Sequence, residues 1–313
     1  MTALSMGKDP ASEATGPGHP EGGARQTSGP RTLTLKCPAK INLTLEVLGR
    51  YPDGYHRVSS IMQAVNVVDL LTISPAEEIT FECDRPELSG PDNLVVKAAR
   101  LLQQVSGHMG GAHLRLQKGI PEAAGLGGGS SDAAAALKGL NQVWGLSLER
   151  QRLVELASQL GSDVPFFMLG GTTLAEGRGE KVEELPAPGK LWLVIIHPPI
   201  FLAEKTRTLY QALTPDLYTA GEHTRSMTKV LRAGGQVNAE MLFNVFEHLA
   251  PSVFPGLSSY VERLLTAGAS RTHLAGSGPT IFAVFNDREK AESVRRELHN
   301  DEAYIAHTIG PDY

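Results

Sequence analysis

One run of small residues constrains this chain more than any other: Pro121-Glu-Ala-Ala-Gly125-Leu-Gly127-Gly128-Gly129-Ser130-Ser131-Asp132. Glycines spaced this closely reach backbone angles closed to other residues and leave no side chain between their amides and a ligand. Ser130, Ser131 and Asp132 are all favoured helix N-caps, and the four alanines that follow, Ala133 to Ala136, have the highest helix propensity. The pattern predicts a loop whose N–H groups run into the positive end of a helix that starts just after these caps. Such a terminus binds anions, phosphate above all.

The two commonest phosphate loops do not fit. A Walker loop needs Gly-x-x-x-x-Gly-Lys-Ser/Thr, and no lysine lies between Gly125 and Lys138. The dinucleotide fingerprint Gly-x-Gly-x-x-Gly is met at Gly125 and Gly127 but has Ser130 at its third place. Glu149 stands at about the right distance for a ribose contact, yet Lys118-Gly-Ile-Pro-Glu-Ala-Ala reads poorly as the buried strand that should come first. An ordinary Gly-Ser turn before a packing helix uses the same residues and remains the plain alternative.

The rest of the chain narrows the choice. With 29 basic and 34 acidic residues the net charge is −5, which supplies no basic field for nucleic acid or for a membrane surface. Cys37 and Cys83 are too few for a disulfide scaffold or a cysteine zinc site, and a reducing cytoplasm is the expected setting. Residues 1–30, rich in Gly, Pro, Ser, Thr and Ala, cannot bury enough apolar surface to offset their ordering entropy and are expected to be a disordered N-terminal extension. No run approaches the ~18 apolar residues of a membrane span.

At 313 residues there is room for two domains, and residues 31–185 and 186–313 are the expected pair. Strands are predicted at 31–35, 37–48, 59–69, 70–73, 77–83 and 110–116, and helices at 94–105 and 148–160. Residues 170–180 read as a strand and tight turn. After a linker at 186–190, the continuous apolar run Leu191-Trp-Leu-Val-Ile-Ile196 opens the second domain. Helices follow at 203–213, across 244–247, at 258–265 and at 288–298, with a strand, Gly-Ser turn and strand over 272–285. The fold class is α+β: a mixed-sheet N-terminal domain and a C-terminal layer of ferredoxin-like type.

Several polar residues stand out against this frame. Ile41, Leu43, Leu45 and Val47 share one face of a strand, so Lys40 and Asn42 share the other. A lysine there is ordinarily a solvated charge; the sharper reading makes it a helper to the phosphate loop. Tyr55 and His56 follow the turn Asp53-Gly54, and an aromatic ring beside an imidazole suits a planar ligand. Asp163, in Gly161-Ser162-Asp163-Val164-Pro165, is either a helix N-cap or a carboxylate able to take a proton from an attacking hydroxyl.

Three separated stretches then coincide with one known pattern. Pro38-Ala-Lys40-Ile-Asn42-Leu, the loop from Pro121 to Asp132, and Ala275-Gly276-Ser277-Gly278-Pro279-Thr280 resemble the motifs of the GHMP small-molecule kinases, a superfamily named for galacto-, homoserine, mevalonate and phosphomevalonate kinases. Asp53-Gly54-Tyr55-His56 and Gly161 to Phe167 resemble the branch of it that acts on a cytidine-diphosphate-linked methylerythritol. The resemblance covers about residue 32 to the C-terminus.

It implies an enzyme that uses ATP, with Mg²⁺, to phosphorylate the 2-hydroxyl of that compound, a step of the non-mevalonate route to isoprenoid precursors. By the same resemblance Asp163 is the catalytic base and Lys40 its partner, with Asn42 near the same substrate end. His56 hydrogen-bonds the cytosine and Tyr55 is one of two stacking rings. Asn93 and Lys118 fall where the family holds the adenosine. Pro121, Gly125, Leu126, Gly127, Gly128, Gly129, Ser130 and Ser131 cradle the ATP phosphates, with Ser130 or Ser131 as possible metal neighbours, and Gly276 and Ser277 border them from the second domain.

Two places depart from the family pattern. The segment after His197 is stretched by about two residues, and across it Thr206 and Tyr210 are matched, Tyr210 as the second ring. Glu122 puts a negative side chain early in the phosphate loop. The nearest rivals are a homoserine or mevalonate type of kinase, whose substrates carry no base to stack, and a nucleotide-binding regulator without catalysis. A dinucleotide-dependent oxidoreductase stands further off.

Overall fold

Apolar and polar residues alternate through Pro38 without a stop, and the chain uses them as one strand, β1 (Leu33–Arg50), where the sequence suggested two. In the computed structural model residues 32–298 and 303–312 are described, and the expected extension at residues 1–30 lies outside them. Pro38 has no N–H to give to a ladder, and the register shifts between Pro38 and Ala39. A bulge at the proline lets the strand continue. The predicted strands at 59–69 and 70–73 likewise fuse into β2 (His56–Ala76), antiparallel to β1 through the turn at residues 51–55.

β2 is long enough to carry two neighbours on its other edge. β4 (Gly111–Gln117) pairs with residues 70–76 and β5 (Thr172–Gly177) with residues 58–63. β3 (Ile79–Cys83) runs parallel beside β4, and β6 (Lys181–Leu185) antiparallel beside β5. Four helices cover one face of this mixed sheet: α1 (Leu94–Ser106), α2 (Gly128–Val143), α3 (Arg150–Leu160) and α4 (Val164–Leu169). Their core is built from Leu71, Ile73, Leu102, Leu114, Leu137 and Phe166, all fully buried. Val105, placed on the apolar stripe of α1 by its spacing, is instead 41% exposed; the buried positions are Val95, Ala98, Ala99 and Leu102.

The second sheet has the order β11-β7-β10-β9, all antiparallel, from β7 (Trp192–Ile196), β9 (His273–Leu274), β10 (Ile281–Phe285) and β11 (Ala303–His307). That order, with helices after β7 and β10, is the ferredoxin-like layer the sequence suggested. β11 was not anticipated, since Ala303-Tyr-Ile-Ala-His307 shows no clean alternation. The described helices of this part are α5 (Lys205–Ala212), α6 (Glu222–Arg232), α7 (Ala250–Val253), α8 (Leu257–Thr266) and α9 (Arg288–Glu297).

β7 is apolar throughout because both of its faces are covered. Leu193 and Ile195, with Phe282 and Val284 of β10, pack on Ile41, Leu43 and Ile61 of the first sheet. Val194 and Ile196 face the C-terminal helices with Phe246, Leu257 and Leu264. The two sheets are thus back to back over one apolar layer.

Residues 244–247, expected as helix, form the end of strand β8 (Phe243–Asn244) and a 3-10 turn (Val245–His248). β8 pairs parallel with Thr44 and Leu45 of β1, so a strand from the C-terminal part closes the first sheet. Its Asn244 side chain is buried, donates to the Leu274 and Gly276 carbonyls (2.9 and 2.8 Å) and accepts from Phe246 N (3.0 Å). Asn244→Ala leaves three buried backbone groups without partners, and the expected loss is about 2–3 kcal/mol, read as a lower urea midpoint at unchanged slope.

Candidate active site

The helix after the glycine loop begins earlier than its alanines suggest. α2 starts at Gly128 with Gly127 as N-cap (φ 75°), so Ser130 and Ser131 lie in its first turn, Asp132 follows just beyond it, and none of them caps it. The left-handed glycine turns the chain into the helix by itself, and a side chain there would have no room: a Cβ on Gly127 would come within 2.9 Å of the Phe167 ring and 3.0 Å of the Lys40 stem. The amides of Gly128, Gly129 and Ser130 open the helix without an intrahelical acceptor, the kind of terminus that can take an anion, while that of Ser131 donates to the Gly127 carbonyl at 3.0 Å. Glu122 is exposed at the rim of the cleft, where water solvates its charge.

Two loops from different sheets meet here backbone to backbone. A Cβ on Gly125 would lie 2.0 Å from the Ala275 oxygen, and one on Gly276 would lie 2.8 Å from both the Gly125 oxygen and Lys40 Nζ. Around this contact opens a cleft of about 1560 Å³. That exceeds the ~300–1,000 Å³ of a typical single-ligand pocket and suits two nucleotide-sized molecules.

Lys40 reaches the centre of the cleft from β1 with its side chain only 5% exposed, so it is not the solvated charge a strand's polar face ordinarily carries. Its ammonium donates to Asn42 Oδ1 (2.8 Å) and lies 3.7 Å from Asp163 Oδ2. Asn42 is fixed in turn by Ser60 Oγ at 2.8 Å. Burial pulls the Lys40 ammonium below the ordinary lysine range, against the pull of Asp163. Asp163 is the residue before α4, as its N-cap pattern suggested, but its carboxylate makes no cap hydrogen bond. It remains 40% exposed to the cleft beside Lys40, where an incoming hydroxyl can reach it.

Lys118 sits at the other end of the loop between two buried carboxylates, Asp69 and Asp132, the latter at 2.9 Å. Asp69 also accepts from the amides of Gly119 (2.6 Å) and Ile120 (2.7 Å). Burial pulls Lys118 down, but Asp132 and Asp69 together outweigh it and hold the ammonium charged. Asp69 was missed because Val-Val-Asp-Leu-Leu reads as one polar residue on a strand; the only sequence signal was an acid inside an otherwise apolar run. Asn93 caps α1, accepting from Val95 N (2.9 Å) and donating to the Leu88 carbonyl (3.0 Å), while its edge still lines the cleft.

At the far end Tyr55 is 60% exposed, with the Arg178 guanidinium 4.2 Å above its ring and Asp53 holding Arg178. His56 lies 4.9 Å from the Tyr210 ring, centre to centre. Arg50 approaches His56 Nε2 at 3.4 Å through both Nε and Nη2; a guanidinium only donates, so Nε2 accepts and Nδ1 carries the proton. Burial, with Arg50 beside it, lowers the imidazole's pKa and keeps it neutral. Thr206 Oγ1 and Ser277 Oγ are 2.8 Å apart.

Of the residues singled out in the sequence, Leu126 and Ser131 do not line the cleft and all the others do. Leu126 is buried, and its carbonyl accepts from Lys40 N at 2.9 Å. Lys205, Arg178, Asp69 and Asp132 belong to the site or its supports and were not among those candidates.

Comparison with known proteins gives the class. Residues 93–171 match the GHMP kinases N terminal domain family and residues 228–304 match GHMP kinases C terminal. The chain is a GHMP kinase, a small-molecule phosphotransferase of two domains. A 4-diphosphocytidyl-2-C-methyl-D-erythritol kinase of Dehalococcoides mccartyi is 43% identical over 282 residues, 89% of this chain and 99% of the relative. One of Pelotomaculum thermopropionicum is 41% identical over 286 residues, with the same two shares. The crystal structure of a 4-(cytidine 5'-diphospho)-2C-methyl-D-erythritol kinase matches with a TM-score of 0.75 at 31% identity, over 89% of this chain and all of that one. Within the superfamily, the chain belongs to the 4-diphosphocytidyl-2-C-methyl-D-erythritol kinase family.

The triad around Lys118 makes a stability prediction. Lys118→Met strands two buried carboxylates, and the expected cost is about 3–5 kcal/mol by chemical denaturation at pH 8. Burial already pushes the Asp132 carboxyl up to about 7, with Lys118 opposing and Asp69 adding to it. An acid whose folded pKa is raised costs stability as pH climbs from its unfolded value to its folded one. The deficit is therefore largest above pH 7 and shrinks towards pH 5.

Proposed function

We propose that the cleft transfers the γ-phosphoryl group of ATP to the 2-hydroxyl of 4-diphosphocytidyl-2-C-methyl-D-erythritol, the compound in the names of the relatives. The observation that carries this reading is the 3.7 Å couple of Lys40 and Asp163 facing an amide-lined loop. Asp163 takes the proton of the attacking hydroxyl while the oxygen bonds to phosphorus and the bond to ADP breaks. The Lys40 charge favours the alkoxide-like oxygen and keeps Asp163 ionised, and Asn42 holds the ammonium in place. The first-turn amides of α2, with Gly125, Gly127, Gly128 and Gly129, take the phosphates. Pro121 shapes the loop, and Asn93 and Lys118 line the adenosine side. On the substrate side, Thr206, Gly276 and Ser277 border the acceptor.

Mg²⁺ fits the donors present. Ser131 Oγ and Asp132 Oδ1 are buried with no hydrogen-bond partner among the described residues, and both are hard oxygens near the start of α2, next to Ser130, which lines the cleft with Asp132. Ser130, Ser131 and Asp132 would hold the ion, which supplies neutralising charge to the triphosphate.

The cytosine lies between Tyr55 and Tyr210, with His56 Nδ1–H donating to a ring acceptor. A neutral imidazole of fixed tautomer suits an uncharged base. This reading assigns the phosphate loop and the couple to residues 31–185 and one stacking ring to residues 186–313. The free Cys37 and Cys83 support a cytoplasmic setting. No helix among the described residues is long and apolar enough to cross a membrane.

The test is phosphorylation by the purified chain with ATP and Mg²⁺, offering the cytidylyl compound, homoserine and mevalonate, and locating the new phosphate by ³¹P NMR. Transfer to homoserine or mevalonate alone assigns the chain a different acceptor; ATP binding without transfer to any of the three makes it a regulator. Asp163→Ala is expected to lower kcat by ~10²–10⁴ with ATP binding kept. Tyr55→Ala is expected to weaken binding of the cytidylyl substrate by ~1–3 kcal/mol, measured by calorimetry, and to leave ATP affinity unchanged.

A further inference from the structure

The cations lining the cleft are mostly neutralised by the protein itself. Lys40 has Asp163, Lys118 has Asp69 and Asp132, Arg178 has Asp53 and Arg207 has Glu204. Arg50 is occupied with His56 at the base end. Lys205, the first residue of α5, is different: among the described residues no carboxylate lies within ion-pair distance of it. Its Nζ is held by neutral oxygens, Ser277 Oγ at 3.0 Å, the Ser277 carbonyl at 3.3 Å and the Gly278 carbonyl.

An ammonium half-removed from water without a counter-charge is unfavourable unless an anion arrives to complete it. The place it occupies says which anion. Lys205 lines the same cleft as Lys40 and Asp163, held on the Ser277–Gly278 segment that meets the glycine loop, and it feels both of their charges. It also borders a side recess with Glu122 and His197, and Glu204 and Arg207 are its charged neighbours on α5. Burial first, and the Lys40 charge second, pull its pKa down to about 8, with Asp163 opposing. A phosphate bound beside it would raise that pKa again.

We propose that Lys205 is a catalytic residue of the phosphoryl transfer: its ammonium binds the non-bridging oxygens of the phosphoryl group in flight from the C-terminal part of the cleft. The claim rests on the reading of this cleft as a phosphotransfer site and adds a residue to it. Lys205 exchanges its carbonyl partners for phosphate oxygens and neither gives nor takes a proton; the hydroxyl proton goes to Asp163 and the leaving oxygen stays with ADP. A fixed charge in the cleft matters most when the three equatorial oxygens carry the transition-state charge. Ser277 and Thr206 hold the start of α5 against the Gly276–Gly278 loop, so the lysine is positioned by the same loop that touches Gly125.

The test compares Lys205→Gln, Lys205→Met and Lys205→Arg with the parent chain, using ATP, Mg²⁺ and the cytidylyl substrate. Gln keeps donors for the Ser277 and Gly278 carbonyls and removes only the charge. The expected result is a kcat lowered ~10²-fold in both Gln and Met variants, with unchanged urea midpoints, and a loss under ~10-fold in the Arg variant. The profile of kcat/KM reports the free enzyme, so the parent should lose activity as pH rises through about 8, and Lys205→Arg should move that limb upward. A Gln variant within about twofold of the parent in kcat overturns the proposal, and so does an alkaline limb that the Arg variant leaves in place. If the parent phosphorylates no alcohol, the reading of the cleft fails instead, and the two failures are told apart in one assay.

Discussion

The structure depends on one close approach: the Gly125 segment and the Ala275–Gly276 segment touch backbone to backbone, at a separation where neither admits a Cβ. The first belongs to the helix-covered sheet and the second to the ferredoxin-like layer. Their contact sets the depth at which Lys40 enters, because its main-chain N–H donates to the Leu126 carbonyl one residue along the same loop. Asn244 secures the second segment from behind through the Gly276 carbonyl, and it does so from a strand paired to β1. A cleft between two domains would ordinarily widen and narrow with their relative motion. Here the shared apolar layer and this glycine contact hold its floor.

Much of this was legible in the sequence. Glycine spacing announced the tight loop that leads into α2, alternation placed Lys40 and Asn42 on one face, and the apolar run at 191–196 marked the second layer. What escaped had physical causes. Two strands were expected on either side of Lys36, and the chain runs through both as β1 with a bulge after Pro38. Ser130, Ser131 and Asp132 look like caps by type, but a left-handed Gly127 had already started the helix. β11 and β8 exist through their partners rather than their own patterns, so no local signal could reveal them. Asp69 and Lys118 lie 49 positions apart, and only the fold brings them together.

The electrostatics of the cleft divide by depth. Near its centre, Lys40 and Lys118 are almost dry and their charges are balanced by named carboxylates. The couple of Lys40 and Asp163 is the loosest of these, at 3.7 Å, and its carboxylate is the most open to solvent. That asymmetry suits a base which must meet a substrate hydroxyl while its partner stays fixed. The ring-lined end presents polarisable faces and an imidazole whose pKa is lowered, with Arg178 and Asp53 at its rim.

Depth also decides how the two ends respond to their surroundings. At physiological ionic strength screening acts over ~8 Å of water, and it reaches exposed pairs far more than buried ones. Arg178 and Asp53, each nearly half exposed, are open to it, whereas the Asp69–Lys118–Asp132 anchor, at most 6% exposed, is sealed from it. Brine would therefore slacken the mouth around Tyr55 while the footing of the nucleotide loop stayed as firm as in dilute buffer.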